Sequence, residues 1–230
     1  MKKDVVIIHY NTPELTTAAI RSLNKTTEGC HVIVFDNSDE KPFVNTFDNV
    51  EVIDNTKGQL IDFGEWLDTF KDKEPSPGNN YGSAKHCYSV QWIVDHRKNP
   101  FVLMDGDVLL KKDITGLWDD SKVFIGHVGC NTKRFGYVIN RVEPWLCYIN
   151  VKMMRINGIS YFNGTRMWNL VSKSPDNHYD TGAWFLEECN RLKLPYKDME
   201  MKDFGIHLRH GSWKKKDDKQ WLEANKKLWK

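Results

Sequence analysis

Two carboxylates separated by a single glycine follow an apolar run near the middle of the chain. The stretch is FVLMDGDVLL, residues 101–110, which places Asp105 and Asp107 directly after Met104. A desolvated carboxylate is costly unless it is paired or bound to a metal, and two close carboxylates repel each other. The pattern therefore predicts that a positive partner, absent from the neighbouring sequence, binds at the end of a buried strand.

Other polar side chains follow apolar runs in the same way. Tyr10 and Asn11 end a first run, DVVIIHYNT, and Asp36 ends a second, HVIVFD. The runs predict strands over residues 4–9, 31–35, 50–53, 101–110 and 123–129. Helices are predicted between them, one beginning at Thr12-Pro13 and ending near residue 25, another over residues 83–96, with residues 71–82 as a loop.

Strands that alternate with helices predict an α/β fold, a Rossmann-like, doubly wound and mostly parallel sheet in a single domain. In such sheets ligands bind at the carboxyl ends of the strands. The polar groups at positions 10, 11, 36, 105 and 107 are therefore expected on one edge of the sheet, where they would form one site.

The composition limits the class of protein. The chain has 230 residues, a net charge of +2 and five cysteines. The near-neutral charge does not favour nucleic acid as a partner, and the cysteines form no C-x-x-C pair, which favours reduced thiols in the cytoplasm. The apolar run at the N-terminus, Val5–Ile8, is too short for a signal peptide or a membrane span. We therefore expect a cytoplasmic protein.

The order of these motifs resembles the nucleotide-sugar glycosyltransferases of the A-type fold, in particular glycosyltransferase family 2. The likeness rests on HYNT, FDNSD, GNNYGSAKH and the D-x-D pair, in that order over roughly the first 110 residues. It implies transfer of a sugar from a nucleotide donor, with UDP expected as the nucleotide, to a saccharide or lipid-linked glycan, as in polysaccharide biosynthesis.

The resemblance also implies roles for individual residues. Asp36 would hydrogen-bond the uracil ring, and Tyr10 and Asn11 would line the base and ribose pocket. Asp107 would bind a divalent metal, and Asp105 the ribose or the metal. Mn²⁺ or Mg²⁺ bridging both phosphates would neutralise the leaving group, so the missing positive charge would be this ion.

A late histidine supplies a further metal ligand in several A-type glycosyltransferases, and FGIHLRHGSW resembles that motif. We expect His207, within a predicted strand at 204–208, to be this ligand, with His210 as the alternative. An inverting hexosyl transfer would also need a base. Asp180 precedes a predicted helix at the family's position for that base, but the usual Glu-Asp pair is absent. Helix capping explains Asp180 equally well, and Asp176 and Glu143 are the other candidates.

Other interpretations of the acidic pair remain open. Asp105 and Asp107 could cap a turn, and Asp36 could do the same. A phosphatase of the haloacid dehalogenase type also uses D-x-D, although there the pair usually follows the first strand. A third alternative is a non-catalytic nucleotide-sugar or carbohydrate-binding module on the same fold.

We divide the predicted domain into a nucleotide-sugar-binding half (1–110), an acceptor-binding and catalytic half (111–216) and a C-terminal basic amphipathic helix (217–230). The aromatic residues between 134 and 168 could form an acceptor wall or pack in the core. The last helix carries Trp221, Leu222, Leu228 and Trp229 on one stripe. This stripe could lie on the inner face of an anionic membrane as a peripheral anchor or pack onto the domain.

Overall fold

The computed structural model describes residues 3–68, 81–130, 140–164, 180–208 and 218–230. Its first half follows the predicted alternation of strands and helices. The elements in chain order are β1 (Lys3–His9), α1 (Pro13–Thr26), β2 (Cys30–Asp36), β3 (Val50–Asp54), α2 (Phe63–Asp68), α3 (Tyr81–His96), β4 (Phe101–Met104) and β5 (Val108–Leu110).

The second half of the chain is built from shorter elements. They are β6 (Phe124–Gly126), β7 (Val128–Cys130), β8 (Asn140–Val142), β9 (Leu146–Ile149), α4 (Val151–Ile156), α5 (Ala183–Arg191), β10 (Lys197–Asp198), β11 (Gly205–His207) and α6 (Asp218–Ala224). Single 3-10 turns cover Thr115–Leu117, Met201–Asp203 and Lys226–Leu228.

Seven strands form one mostly parallel sheet in the order β10-β6-β9-β4-β1-β2-β3. Strand β1 pairs in parallel with β2 and with β4, so the ends of all three point to the same edge. Two small antiparallel pairs, β5 with β11 and β7 with β8, lie outside this sheet. The predicted α/β class, the mostly parallel sheet and the single domain are confirmed.

The sheet is buried on both faces because neighbouring side chains of β1 point in opposite directions. Val6 packs in the cluster that contains Cys87 and Val90 of α3, whereas Val5 and Ile7 pack in the cluster that contains Ala19 and Leu23 of α1. Helices therefore cover both faces, as parallel strands require.

The structure differs from the predicted strands in several places. The fourth predicted strand is two strands, β4 and β5, because the Asp105-Gly106-Asp107 segment turns the chain between them. The fifth is likewise divided into β6 and β7. Strand β9, which the sequence analysis did not predict, pairs antiparallel with both β4 and β6 in the middle of the sheet.

The C-terminal helix packs onto the domain. Leu222 of α6 is buried in a cluster with Leu15 and Ala18 of α1, and Trp221, Leu228 and Trp229 pack against the same cluster. The apolar stripe is thus in contact with α1, which was the structural alternative to a membrane surface. Among the described residues, no helix is both long and apolar enough to cross a bilayer.

Candidate functional site

Asp105, Asp107 and His207 converge at the carboxyl end of β4. The Nε2 atom of His207 is 3.0 Å from Oδ1 of Asp107 and 3.5 Å from Oδ2 of Asp105. One ligand atom from each residue lies within 4.8 Å of the others, and all three side chains are partly buried. The predicted histidine is therefore beside the acidic pair, although about 100 residues separate them in sequence.

Backbone pairing fixes the relative position of these three residues. Strand β11 runs antiparallel to β5, which places His207 opposite Val108. The amide of Leu208 donates to the carbonyl of Asp107 at 3.1 Å, and the amide of Asp105 donates to the carbonyl of Trp145 at 3.0 Å. The side chains therefore project from a rigid frame, as a preorganised metal site requires.

The chemistry of this group fits a divalent cation. Two carboxylates and one imidazole are a common donor set for Mn²⁺, and separations of 3.0 and 3.5 Å are within the roughly 4 Å that ligands on one ion span. Burial penalises the charged form of Asp105, but attraction to His86, His207 and Arg141 outweighs it and lowers the pKa of this carboxyl. Asp105 is thus held in the ionised form that binds metal.

Trp145 packs against two of these three residues, His207 and Asp105. Its indole stacks on the His207 imidazole with 5.5 Å between ring centroids and an angle of 16°. Its Nε1 donates to Oε2 of Glu143 at 2.8 Å, and Trp145 is only 7% exposed. Trp145 therefore contacts the group of Asp105, Asp107 and His207 twice, through the His207 ring and through its backbone carbonyl, which accepts from the amide of Asp105. Glu143, one alternative candidate for the base, is engaged with this tryptophan.

His86 is a residue of this site that the sequence analysis did not single out. It lies on α3, and its Nε2 is 3.5 Å from Oδ1 of Asp105. Both ring nitrogens are buried, and in the part of the chain that the structure describes neither has a partner within ordinary hydrogen-bond geometry. Two signals in the sequence could have found it: His86 ends the GNNYGSAKH motif, and the spacing of Ser83, His86 and Cys87 places three residues on one side of the first turns of α3.

Tyr10 and Asn11 form a second group at the ends of β1 and β2, together with Asp39. The Tyr10 hydroxyl donates to Asp39 at 2.9 Å, and the Asn11 side-chain amide donates to the same carboxylate at 2.6 Å. These two bonds, the Asn11 bond first, lower the pKa of Asp39. The Lys85 ammonium lies 5.4 Å from the centre of the Tyr10 ring. Tyr10 is 38% exposed, so its ring is accessible at this edge of the sheet.

Asp36 lies beneath this group and is 2% exposed. One carboxylate oxygen accepts from the amide of Ser38 at 2.9 Å and the other from the amide of Phe43 at 2.7 Å. Both contacts close the loop after β2, which is the turn role considered from the sequence. The contact of Asp36 with a uracil ring stays a prediction.

Asp180 lies just before α5 and is in contact with two other elements. Its Oδ2 accepts from Nη1 of Arg141 on β8 at 2.8 Å, and its Oδ1 accepts from the Ser83 hydroxyl at 2.9 Å and from the amide of Thr181 at 2.8 Å. These contacts fix the position of the carboxylate and leave part of its acceptor capacity unused. The role of Asp180 as a base stays a prediction.

Several predicted residues fall elsewhere. His210 and Asp176, with part of the aromatic segment, lie outside the described residues. Within the described part of that segment, Tyr148 and Tyr161 are no more than 1% exposed and belong to the core, whereas Phe162 stacks on Tyr88 and is only partly buried. Tyr148 and Tyr161 thus follow the core interpretation rather than the acceptor wall.

Solved structures show the same architecture. No protein-family model and no curated protein matches the sequence. The galactosyltransferase LgtC, solved in complex with donor and acceptor sugar analogs, matches with 12% identity and a TM-score of 0.53 over 86% of this chain and 74% of LgtC. The protein has the A-type glycosyltransferase fold.

Two further glycosyltransferases match less closely in structure. Mouse xyloside xylosyltransferase 1 has 10% identity and a TM-score of 0.49, covering 87% of this chain and 86% of its own. The bifunctional WbbM has 12% identity and a TM-score of 0.47, and this chain spans 44% of its length. The A-type fold, with three strands before the acidic pair, disfavours the haloacid dehalogenase alternative.

Proposed function

We propose that the protein is a metal-dependent glycosyltransferase that moves a sugar from a nucleoside-diphosphate donor, with UDP as the expected nucleoside diphosphate, to a saccharide or lipid-linked acceptor. The observation that carries the proposal is the meeting of Asp105, Asp107 and His207 at the carboxyl edge of an A-type sheet. LgtC, which shares this fold, was solved with donor and acceptor sugar analogs.

The residues suggest a division of the site between metal and nucleoside. Asp105, Asp107 and His207 would hold Mn²⁺ or Mg²⁺, and this ion would neutralise the diphosphate as it leaves the sugar. Strand β1 lies next to β4 and β2 lies next to β1 in the sheet, so a donor on the metal would place its nucleoside over Tyr10, Asn11 and Asp39. The partly buried Lys85 would add positive charge between the two groups.

The simplest experiment measures nucleotide binding. We expect a nucleoside diphosphate, from a panel of UDP, GDP, CDP and ADP, to raise the melting temperature in the presence of Mn²⁺ and to raise it much less in EDTA. Asp107→Asn should remove the Mn²⁺-dependent part. Asp48→Asn, at an exposed position, is the matched control. If no nucleoside diphosphate raises the melting temperature of the wild type, the proposed function is wrong.

Turnover separates an enzyme from a binding module. Release of the bound diphosphate from the matching nucleotide-sugar, assayed with a mixture of saccharide acceptors, should occur in the wild type. Removal of one contact that stabilises transition-state charge typically costs about 10²–10³ in rate, so Asp107→Asn should lose at least that factor. Binding of the donor without any release would favour the non-catalytic alternative.

A further inference from the structure

Arg141 and Asp180 form an ion pair that no step of the proposed reaction has yet used. The pair joins β8 to the residue that precedes α5, with 2.8 Å between Nη1 of Arg141 and Oδ2 of Asp180. Both side chains are partly exposed, at 24% and 20%. The ion pair stabilises the packing of β8 against the loop before α5. The surroundings of the guanidinium indicate a second role, in binding a ligand.

The pair is held on the side of the site where α3 meets β4. Ser83 of α3 donates its hydroxyl to Asp180 at 2.9 Å. His86, one turn later on the same helix, is 3.5 Å from Asp105. Residues three apart on a helix are neighbours on its surface. Arg141 is therefore linked through Asp180 to Ser83, and His86, on the same side of α3, links that helix to Asp105.

The backbone segments that carry Arg141 and Asp180 are also in close contact. Gly182 has a φ of +81°, and a Cβ atom there would lie 2.1 Å from the carbonyl oxygen of Val142. The two residues in contact, Val142 and Gly182, are close neighbours in sequence of Arg141 and Asp180. Gly182 therefore allows the loop before α5 to lie directly against β8, and this packing brings Asp180 beside Arg141.

Asp180 uses only part of the guanidinium. Arginine has five N–H donors in a planar fork, and among the described residues the guanidinium of Arg141 makes one hydrogen bond, from Nη1 to Asp180. An arginine anchored by one arm loses little entropy when its other arm binds an anion, and the fork matches phosphate geometry. A divalent ion shared with the carboxylates of Asp105 and Asp107 would offset only part of the charge of a diphosphate, so a cation of the protein would add to the stabilisation that the ion gives.

We propose that Arg141, anchored by Asp180, binds the donor diphosphate beside the metal ion, and that Asp180 is a positioning residue for Arg141 rather than the catalytic base. This inference rests on the proposed function, because it takes a metal-bound nucleoside diphosphate as the ligand. It assigns Asp180 a role that uses the contacts observed in the structure.

The inference is tested by comparing two nucleotides in three variants. The probes are the nucleoside diphosphate that the wild type binds with Mn²⁺ and the corresponding monophosphate, titrated by calorimetry at fixed Mn²⁺. Arg141→Gln should lower the affinity for the diphosphate by about 10- to 100-fold, the range for hydrogen bonds to charged groups. Its affinity for the monophosphate should change by less than about threefold. Asp180→Asn should reproduce this selectivity, and the double variant should bind no more weakly than Arg141→Gln alone.

Controls separate binding from damage to the fold. Arg97→Gln removes another arginine that is paired with a carboxylate, Glu51, and should leave the affinities for both nucleotides unchanged. Mn²⁺ affinity without nucleotide should remain within about twofold in Arg141→Gln, since Arg141 is not a metal ligand. If Asp180→Asn or Arg141→Gln lowers the melting temperature strongly, Asp180→Glu and Arg141→Lys are used instead, because they keep the charges. We expect their affinities for the diphosphate to lie between the affinity of the wild type and those of the neutral variants.

Two results would overturn the inference. One is wild-type affinity of Arg141→Gln for the diphosphate. The other is an Asp180→Asn variant that binds the diphosphate normally but has lost turnover, as a base would require. Absence of diphosphate binding in the wild type would instead contradict the proposed function itself, and the inference with it.

Discussion

Substitution of Gly106 tests whether the loop between the two carboxylates is as rigid as the structure indicates. A Cβ atom at this position would lie 2.7 Å from the Thr16 hydroxyl oxygen and 3.6 Å from Cγ2 of Ile7. Thr16 is completely buried, and its hydroxyl bonds Nδ1 of His9 at 2.8 Å. The hydroxyl therefore cannot rotate away without losing a buried hydrogen bond, so Gly106→Ala must displace either the loop or α1.

The size of the effect follows from this contact. Overpacking a well-packed site costs about 1–3 kcal/mol, and loss of a group that positions metal ligands reduces metal affinity by about 10- to 100-fold. We expect Gly106→Ala to lower the free energy of unfolding in urea by the first amount and the affinity for Mn²⁺, measured by calorimetry, by the second. Gly116→Ala is the matched control, because nothing lies within 4 Å of a Cβ atom there.

A double variant makes the test specific to the predicted clash. Thr16→Ala alone removes the hydrogen bond to His9 and should cost about 1 kcal/mol. In Thr16→Ala/Gly106→Ala the nearest remaining atom of residue 16 is Cβ, at 3.8 Å, which is an ordinary contact. The double variant should therefore be more stable than the sum of the single changes predicts. Additive losses, or a Gly106→Ala variant that behaves like Gly116→Ala, would show that the loop yields and that this reasoning is wrong.

Two further predictions concern the supports of the site and of the fold. Trp145→Leu should lower the affinity for Mn²⁺ by about tenfold because it removes the ring that stacks on His207. Trp145→Phe keeps a stacking ring and should lose less affinity. Equal Mn²⁺ affinity in Trp145→Leu and the wild type would contradict this role. Leu222→Ala should lower the free energy of unfolding by about 2–3 kcal/mol, since Leu222 packs against α1. If that variant is as stable as the wild type, and the wild type floats with anionic liposomes at low salt, the tail binds membranes instead.

The sequence predicted the parallel half of the fold because its strands carry two independent signals. Each of β1, β2 and β4 is an apolar run followed by a polar residue, and helices with apolar periodicity separate them. Strand β9 carries only the first signal, because Asn150 follows its apolar run but no α-helix of the described residues separates it from β5. Its four residues are all buried and are followed at once by α4, and such a short apolar run cannot be distinguished from a helical segment by periodicity.

The group of Asp105, Asp107 and His207 was predictable to the extent that its members have distinctive chemistry. Asp105 and Asp107 are conspicuous because two carboxylates follow a buried strand, and His207 was reached through resemblance to a motif. His86 and Arg141 were not reached, because their approach to the site depends on where α3 and β8 pack. An isolated histidine on a helix and an isolated arginine near a strand have many ordinary explanations, and only the tertiary contacts distinguish among them.

Asp36 and Asp180 show why a carboxylate at the expected position does not by itself reveal its role. Both follow the predicted pattern, one at a strand end and one before a helix, and both have each oxygen occupied by a donor of the protein. For Asp36 the donors are backbone amides that close a loop, so a contact with a base would have to be added to them. For Asp180 one donor is a guanidinium with further N–H groups, so the same occupied carboxylate can still contribute to binding, through the arginine that it holds.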